Sequence, residues 1–439
     1  MEKLGTIKAR EEPLQRESGA PTPNNLNLGL VGSMAGNVIL PPKSPVIHVD
    51  EKGIEEVRQA LQACADLGLA GDTINKASFP LPTFHVVLDE ARRQVHEGQG
   101  FVIIRGIGLS DSAQNNNNMF LGLASYIGDV RGAQDKQGSM LTHVTASKSW
   151  TVPPELRHGI HTNTGLAWHN DMGTDVIALH IRSLAEEGGN TFVASSWTIY
   201  KELATSYPQV LELLCEPCWP IQVYVPGNLV VFRLVPRYNL SHPKNPFSQA
   251  CADAAGVIHS SGNPPRHIVA PLVQIYNNRV YLSADPGRLG LHPVTAKACL
   301  SSSIPSLTTS HLQALEILSE LATKHRLMLD TKPGDVLFIN NWALIHARDS
   351  YKDPKDGPGR HLVRLWLRDS ELGWKVPESM KVPWEATFGP NGDGYPTGVT
   401  RREYPLAPSH EYKPPKYTAG SAAFVLDDED EVNGGNTEP

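Results

Sequence analysis

Seventeen of the 439 residues are histidines, enough to ask whether any sit at metal-ligand spacing. A His-x-Asp triplet on a strand sends both side chains to one face, because strand side chains alternate with a period of two. Joined by one distant histidine, such a pair makes a 2-His-1-carboxylate facial triad, which holds Fe(II) and leaves coordination positions open. The triplet alone is weak evidence. With 46 acidic residues in the chain, chance supplies about two His-x-(Asp/Glu) matches, and the sequence contains two. Context separates them. His48-Val49-Asp50 stands at the head of a helical pattern, where Asp50 is a natural N-cap. His169-Asn170-Asp171 instead precedes a strand pattern and lies 20 residues before Thr191, the end of Gly188-Gly189-Asn190-Thr191. Gly334-Asp335 opens a further strand pattern running through Asn340-Asn341 to His346, and Arg360 and Arg364 follow. A metal pair, a distant histidine and downstream arginines thus occur in one order.

Arg360 offers a planar fork suited to bidentate pairing with a carboxylate. A strand over 361–367 puts Arg360, Leu362, Arg364, Trp366 and Arg368 on one face. If Arg360 points into the fold, so does Arg364. A buried arginine needs an anion, so Arg364 is expected to grip a cosubstrate, meet a substrate carboxylate or sulfonate, or pair with a protein carboxylate. His158, His161 and Asn163 lie just upstream of the triplet and are candidates for the mouth of the site. Gln134 or Gln137 could face substrate, and Arg348 reads as a structural ion-pair partner. Cys215-Glu216-Pro217-Cys218 has zinc or redox spacing, but no second Cys or Cys/His pair completes a zinc site, so both read as ordinary thiols.

These residues need a scaffold that brings His169 and His346 together across 177 positions. Strand patterns occur at 100–106, 174–182, 191–195, 221–225, 229–235, 268–276, 279–283, 335–340 and 361–367, with Asn277-Asn278 as a hairpin turn. Helical patterns occur at 50–69, 84–97 and from Trp197 with Ser195 or Ser196 as cap. The clearest is 310–328, with Ser310 and Gln313 as a capping box and Leu312, Leu315, Leu318 and Leu321 along one face. Many strands with a few covering helices predict a mainly β fold with a jelly-roll core. Residues 1–44 are expected to be a disordered arm, 45–405 the working domain, and 406–439 a flexible tail ending in the acidic run Asp427–Glu431.

Composition narrows the function classes. Lysine and arginine total 39 against 46 acids, a net charge of −7, which provides no basic excess for a nucleic-acid backbone. No apolar run reaches the roughly 18 residues that a membrane helix needs. The first residues lack a secretory apolar core, and five sparse cysteines suit a reducing compartment, so the cytoplasm is the expected location. With 37 glycines and 35 prolines, an all-helical fold is excluded.

Residues 155–203, containing Trp168-His169-Asn170-Asp171 and Gly188-Gly189-Asn190-Thr191, and residues 333–374, containing His346 and Arg360, resemble the TauD/TfdA family of Fe(II)/2-oxoglutarate dioxygenases, especially its fungal members. Weaker similarity extends over about 95–390. The resemblance implies a double-stranded β-helix of the clavaminate-synthase-like kind. It implies Fe(II) on His169, Asp171 and His346, with Thr191 and Arg360 on the distal carboxylate of 2-oxoglutarate, and O2 as the second cosubstrate. Arg364, Asn163 and His161 become candidates for contact with substrate or cosubstrate. The implied reaction oxidises an unactivated C–H bond of a small anionic molecule, such as an amino acid, a sulfonate or a secondary-metabolite precursor, and releases succinate and CO2. Hydroxylation is the default outcome; desaturation or ring closure needs rebound to be disfavoured, and Asp171 fills the position a halide would need. Residues 225–295 depart from the family pattern, so the substrate does not transfer by analogy. Two other readings compete: a zinc-dependent hydrolase using the same triad, and an inactive barrel serving as a binding module. A homo-oligomer stays open.

Overall fold

Short apolar runs separated by Gly, Pro and Asn fold into two facing sheets. The computed structural model describes residues 44–135, 137–154, 157–222, 267–290 and 305–412. The sequence readings for residues 1–43, the strand at 229–235, Cys251, Cys299 and the acidic run lie outside the described residues.

The two main sheets are built from β1 (Val46–His48), β2 (Phe101–Arg105), β3 (Val130–Gly132), β4 (Leu141–Thr145), β5 (Leu166–His169), β6 (Val176–Ser183), β7 (Thr191–Ser195), β8 (Leu327–Leu329), β9 (Val336–Asn340), β10 (Leu344–Arg348) and β11 (His361–Arg368). The seven-stranded sheet has the order β1-β2-β9-β6-β11-β3, with β4 also paired to β11. The four-stranded sheet has the order β8-β7-β10-β5. All these pairings are antiparallel except β1 with β2.

The period of two explains how the large sheet serves two cores. Leu337 and Ile339 of β9, Ile177 and Leu179 of β6, and Leu362 and Trp366 of β11 face the space between the sheets. The alternate residues Val336, Phe338, Val176, Ala178, Val363 and Leu365 face a helical layer. That layer comprises α1 (Glu51–Asp66), α2 (His85–His96) and α3 (Ala113–Ala124). On the small sheet, α4 (Ser196–Ser206) and α5 (Thr309–Lys324) cover β7. Asp50 caps α1 by accepting from Gly53 N at 2.8 Å, and Ser195 caps α4. Asn277 and Asn278 take φ of 50° and 58° in the expected hairpin.

Several elements differ from the sequence reading. The pattern 268–276 divides into His267–Ala270 and Val273–Tyr276, broken at Pro271, which has no N–H for a ladder. α5 starts one residue earlier than read, and its capping box uses Thr308 and His311 rather than Ser310 and Gln313. Its buried side is His311, Ala314, Leu318, Leu321 and Ala322, leaving Leu312 exposed, and 327–329 belong to β8. The run from Asp335 to His346 is two strands in opposite sheets. Asn340 Oδ1 accepts from the N–H groups of Trp342 and Ala343 at 3.1 Å each, and this Asx turn passes the chain between sheets. Residues 406–412, read from composition as tail, dock on the domain: Trp150 Nε1 donates to Ser409 O at 2.8 Å, and the Tyr412 ring lies against Trp150 at a tilt of 37°. Among the described residues, no helix is long and apolar enough to cross a membrane.

Candidate active site

His169 is the last residue of β5, and His346 lies directly opposite it in β10. This register brings two rings from distant parts of the chain to a centroid separation of 4.2 Å. Asp171 is not on the strand with His169; it lies in the turn toward β6. The turn, rather than strand alternation, swings its carboxylate back, so Asp171 Oδ1 is 3.7 Å from His169 Nε2 and 3.8 Å from His346 Nε2. One ligand atom from each residue falls within 4.8 Å of the others.

Two asparagines hold this turn. Asn170 Nδ2 donates to the carbonyls of Asn341 and Leu344 at 2.7 and 3.0 Å. Its backbone and side chain form a reciprocal pair with Ala284: Asn170 N–H donates to Ala284 O at 2.7 Å, and Ala284 N–H donates to Asn170 Oδ1 at 3.1 Å. Asn341 accepts from Asp171 N–H at 3.0 Å and donates to Asp171 O at 2.7 Å and Thr174 O at 2.9 Å. The sequence reading passed over both roles. The only local trace of Asn341 is a polar pair interrupting a strand pattern.

The donor chemistry suits a divalent metal. His169 Nδ1 lies 2.7 Å from Ala167 O; a carbonyl only accepts, so Nδ1 carries the proton and Nε2 presents its lone pair. Burial, and then His169, push His346 down to about 3, keeping its imidazole neutral. Burial pushes the Asp171 carboxyl up, but Arg364, both histidines and Trp366 outweigh it and hold it below the usual range. Arg364 Nη1 and Trp366 Nε1 donate to Asp171 Oδ2 at 2.8 and 2.9 Å. Oδ1 is left buried without a hydrogen-bond partner among the described residues. A buried charged oxygen in that state is costly, and a cation between it and the two imidazoles removes the cost.

Arg364 also donates through Nε to Gln134 Oε1 at 2.8 Å. Of the roles open to it, pairing with a protein carboxylate is the one the structure displays. Gln134 is a brace: its Nε2 donates to Met140 O and Arg364 O, which corrects its reading as a substrate contact. Gln137 is exposed. His161 is engaged with Tyr412 Oη at 3.2 Å and His143 O at 3.1 Å. Asn163 is exposed, and its carbonyl accepts from Tyr351 N–H. His158 is the better placed of this group. It is buried, its Nε2 has no partner among the described residues, and burial, then His161, Arg364 and Arg288, push it down to about 3.

Thr191 opens β7 directly after the Gly188-Gly189 turn, and both glycines have positive φ. Arg360 is buried, with Nε donating to Gly189 O at 3.0 Å. A Cβ on Gly189 would stand 2.8 Å from Arg360 Cδ, so glycine permits this close approach. Arg348 is buried, and its Nη2 donates to the carbonyls of Thr162 (3.0 Å) and Thr164. Among the described residues it has no carboxylate partner, which corrects its reading as half of an ion pair. Cys218 is buried with Sγ 3.4 Å from His311 Nε2, and Cys215 is exposed; neither is in a disulfide.

The family described as taurine catabolism dioxygenase TauD, TfdA matches residues 65–366. The chain belongs to the TauD/TfdA family. It is therefore a 2-oxoglutarate-dependent non-haem iron dioxygenase that uses Fe(II) and 2-oxoglutarate, which removes the hydrolase and inactive-barrel readings. It is 28% identical over 351 residues to the taurine hydroxylase-like protein SAT17 of Stachybotrys chartarum, covering 78% of this chain and 80% of that one. It is 22% identical over 339 residues to the FR-33289 synthase of Streptomyces rubellomurinus, covering 76% and 88% respectively. A crystal structure of asparagine oxygenase with Fe(II), 2S,3S-3-hydroxyasparagine and succinate superposes with a TM-score of 0.50 at 17% identity, covering 75% of this chain and 98% of that one. At that identity the likeness speaks for the fold, a jelly roll with covering helices.

Proposed function

We propose that His169, Asp171 and His346 hold Fe(II), that Thr191 and Arg360 bind the distal carboxylate of 2-oxoglutarate, and that the enzyme oxidises a C–H bond of a small anionic substrate, by default hydroxylating it. The observation that carries the iron assignment is Asp171 Oδ1, buried, unpartnered and within 4 Å of both imidazole Nε2 atoms. Held there, Fe(II) would supply the oxidising chemistry, with 2-oxoglutarate and O2 as cosubstrates and succinate and CO2 as products.

The chain's own residues do the positioning. Ala167 O fixes the His169 tautomer, while Arg364 and Trp366 hold Asp171 Oδ2 so that Oδ1 faces the histidines. Arg360 brings a buried Nη1 without a partner among the described residues, suited to a carboxylate. An anionic substrate is supported by Arg288, a buried cation whose charge, shared with Asp285, reaches Asp171 and His158. The three loop residues that carry Arg288 pack against β5. The likeness to an asparagine oxygenase and a taurine hydroxylase-like protein fits substrates of amino-acid or sulfonate type. Residues 45–405 form the catalytic unit in this reading, in the cytoplasm.

Anaerobic equilibrium dialysis tests the ligand set. The intact protein is expected to take up one Fe(II), and His169→Ala, Asp171→Ala and His346→Ala to lose it. Undiminished uptake in any of the three would remove that residue from the set. Succinate release against a panel of amino acids, sulfonates and small carboxylic acids tests the substrate class; stimulation only by uncharged molecules would refute it.

A further inference from the structure

We propose that Arg348 is a second guanidinium in the 2-oxoglutarate cradle, so that Arg348 and Arg360 together grip the distal carboxylate and select for it. The inference rests on the assignment of Arg360 made above. Three placements carry it. Arg348 lies two residues past His346 on β10 and directly across from Thr191 on β7, so it shares the face of both. Its Cζ is 5.0 Å from the centre of the Tyr351 ring, and Arg360 Cζ is 5.5 Å from the same ring. Both arginines are buried, at 6% and 3% exposure.

The hydrogen-bond inventory then points to an anion. Arg348 uses Nη2 on the Thr162 and Thr164 carbonyls, and Arg360 uses Nε on Gly189 O. Arg348 Nε and Nη1 and Arg360 Nη1 stay buried without partners among the described residues. Asp349 lends both arginines some opposing charge and Asp353 lends some to Arg360, but neither carboxylate bonds to either guanidinium among the described residues, and two neighbouring buried cations in that state are unfavourable. Burial, and then Arg348, push the Arg360 guanidinium down to about 10. Two unpartnered guanidinium nitrogens, Arg348 Nη1 and Arg360 Nη1, together with the Thr191 hydroxyl on the same face, supply donors for one carboxylate. Arg348 therefore has two jobs, tethering the Thr162–Thr164 segment through Nη2 and presenting Nη1 to the anion.

A purely structural Arg348 would weaken all 2-oxo acids alike, whereas a cradle residue discriminates by the distal carboxylate. The test compares anaerobic calorimetric binding of 2-oxoglutarate and of 2-oxovalerate, the five-carbon acid without that carboxylate, to the Fe(II)-loaded full chain. A charge-assisted hydrogen bond is worth roughly ten- to hundredfold in affinity. Arg348→Gln is expected to weaken 2-oxoglutarate by that factor and 2-oxovalerate by less than about twofold, since only the former has the gripped group. Arg348→Lys keeps a donor for the Thr162 and Thr164 carbonyls and a charge. It should show an intermediate loss, and it carries the comparison if the glutamine variant fails to fold. Equal weakening of both acids, or unchanged 2-oxoglutarate affinity in both Arg348 variants while Arg360→Leu still abolishes the preference, would overturn the role of Arg348 alone. If Arg360→Leu leaves the preference intact, the assignment of Arg360 fails as well.

Discussion

Replacing Asn341 by alanine should damage the iron site without touching a ligand. Asn341 is 1% exposed and makes three side-chain hydrogen bonds, two of them to the main chain of Asp171. Each bond is worth about 1 kcal/mol net, and a buried group left unpaired costs about 1–3 kcal/mol. Asn341→Ala removes all three, strands Asp171 N–H and Thr174 O, and leaves Asp171 O only a 3.5 Å bond from Thr174 N–H. The summed loss is roughly 3–5 kcal/mol. The turn that aims Asp171 loosens at the same time, and lost support behind a ligand typically lowers metal affinity about 10- to 100-fold. Urea unfolding of the metal-free protein reads the first effect, and competition with a calibrated Fe(II) chelator reads the second. A loss below about 1 kcal/mol with unchanged iron affinity would refute the claim that Asn341 sets the geometry of Asp171.

Three further outcomes are expected. Gly189→Ala places a Cβ 2.8 Å from Arg360 Cδ at a φ of +72°; it should cost about 1–2 kcal/mol and weaken 2-oxoglutarate binding while sparing iron binding, and equal losses would contradict it. Arg364→Met leaves Asp171 buried with Trp366 as its remaining donor on Oδ2; melts should show about 3–5 kcal/mol lost without metal and clearly less with Fe(II), whose charge replaces that of Arg364. The third concerns His143 and His361, whose Nδ1 and Nε2 are 2.8 Å apart against the helical layer; His180, Arg182 and Pro405 O adjoin them. Burial holds His143 down to about 4 and His361 down to about 3. The unfolded chain takes up these protons near pH 6.5 and the folded chain does not, so their contribution is full above that pH and falls as pH drops toward 4. For His143 alone the loss reaches up to about 3 kcal/mol. Burial raises Asp175 to about 6, which tilts stability the other way. The measurement is therefore the stability difference between the intact protein and His143→Asn, expected to shrink between pH 7.5 and 5; a constant difference would count against it.

The chemistry of the site was more legible than its scaffold. His169, Asp171 and His346 stand at readable spacing because the metal site proposed for them demands particular side chains. Their convergence depends on the register of β5 against β10, which no local pattern encodes. The same holds for α3, which was not read from the sequence. Asn115–Asn118 are poor helix formers, yet Asn117 and Asn118 donate to Pro405 O and Leu69 O, and these tertiary bonds outweigh propensity. The turn at Asn341 was hidden because the apolar residues on both sides continue one pattern across two sheets. Arg348 was misread because its strand is short and its partners are backbone carbonyls, which leave no mark in composition.

The most direct test of the site is optical. Adding 2-oxoglutarate to the Fe(II)-loaded protein without oxygen should produce a visible charge-transfer band if the keto acid binds an iron held, as proposed, by His169, Asp171 and His346. The band should be absent in His169→Ala. No band in the intact protein, or an unchanged band in His169→Ala, would contradict the assignment.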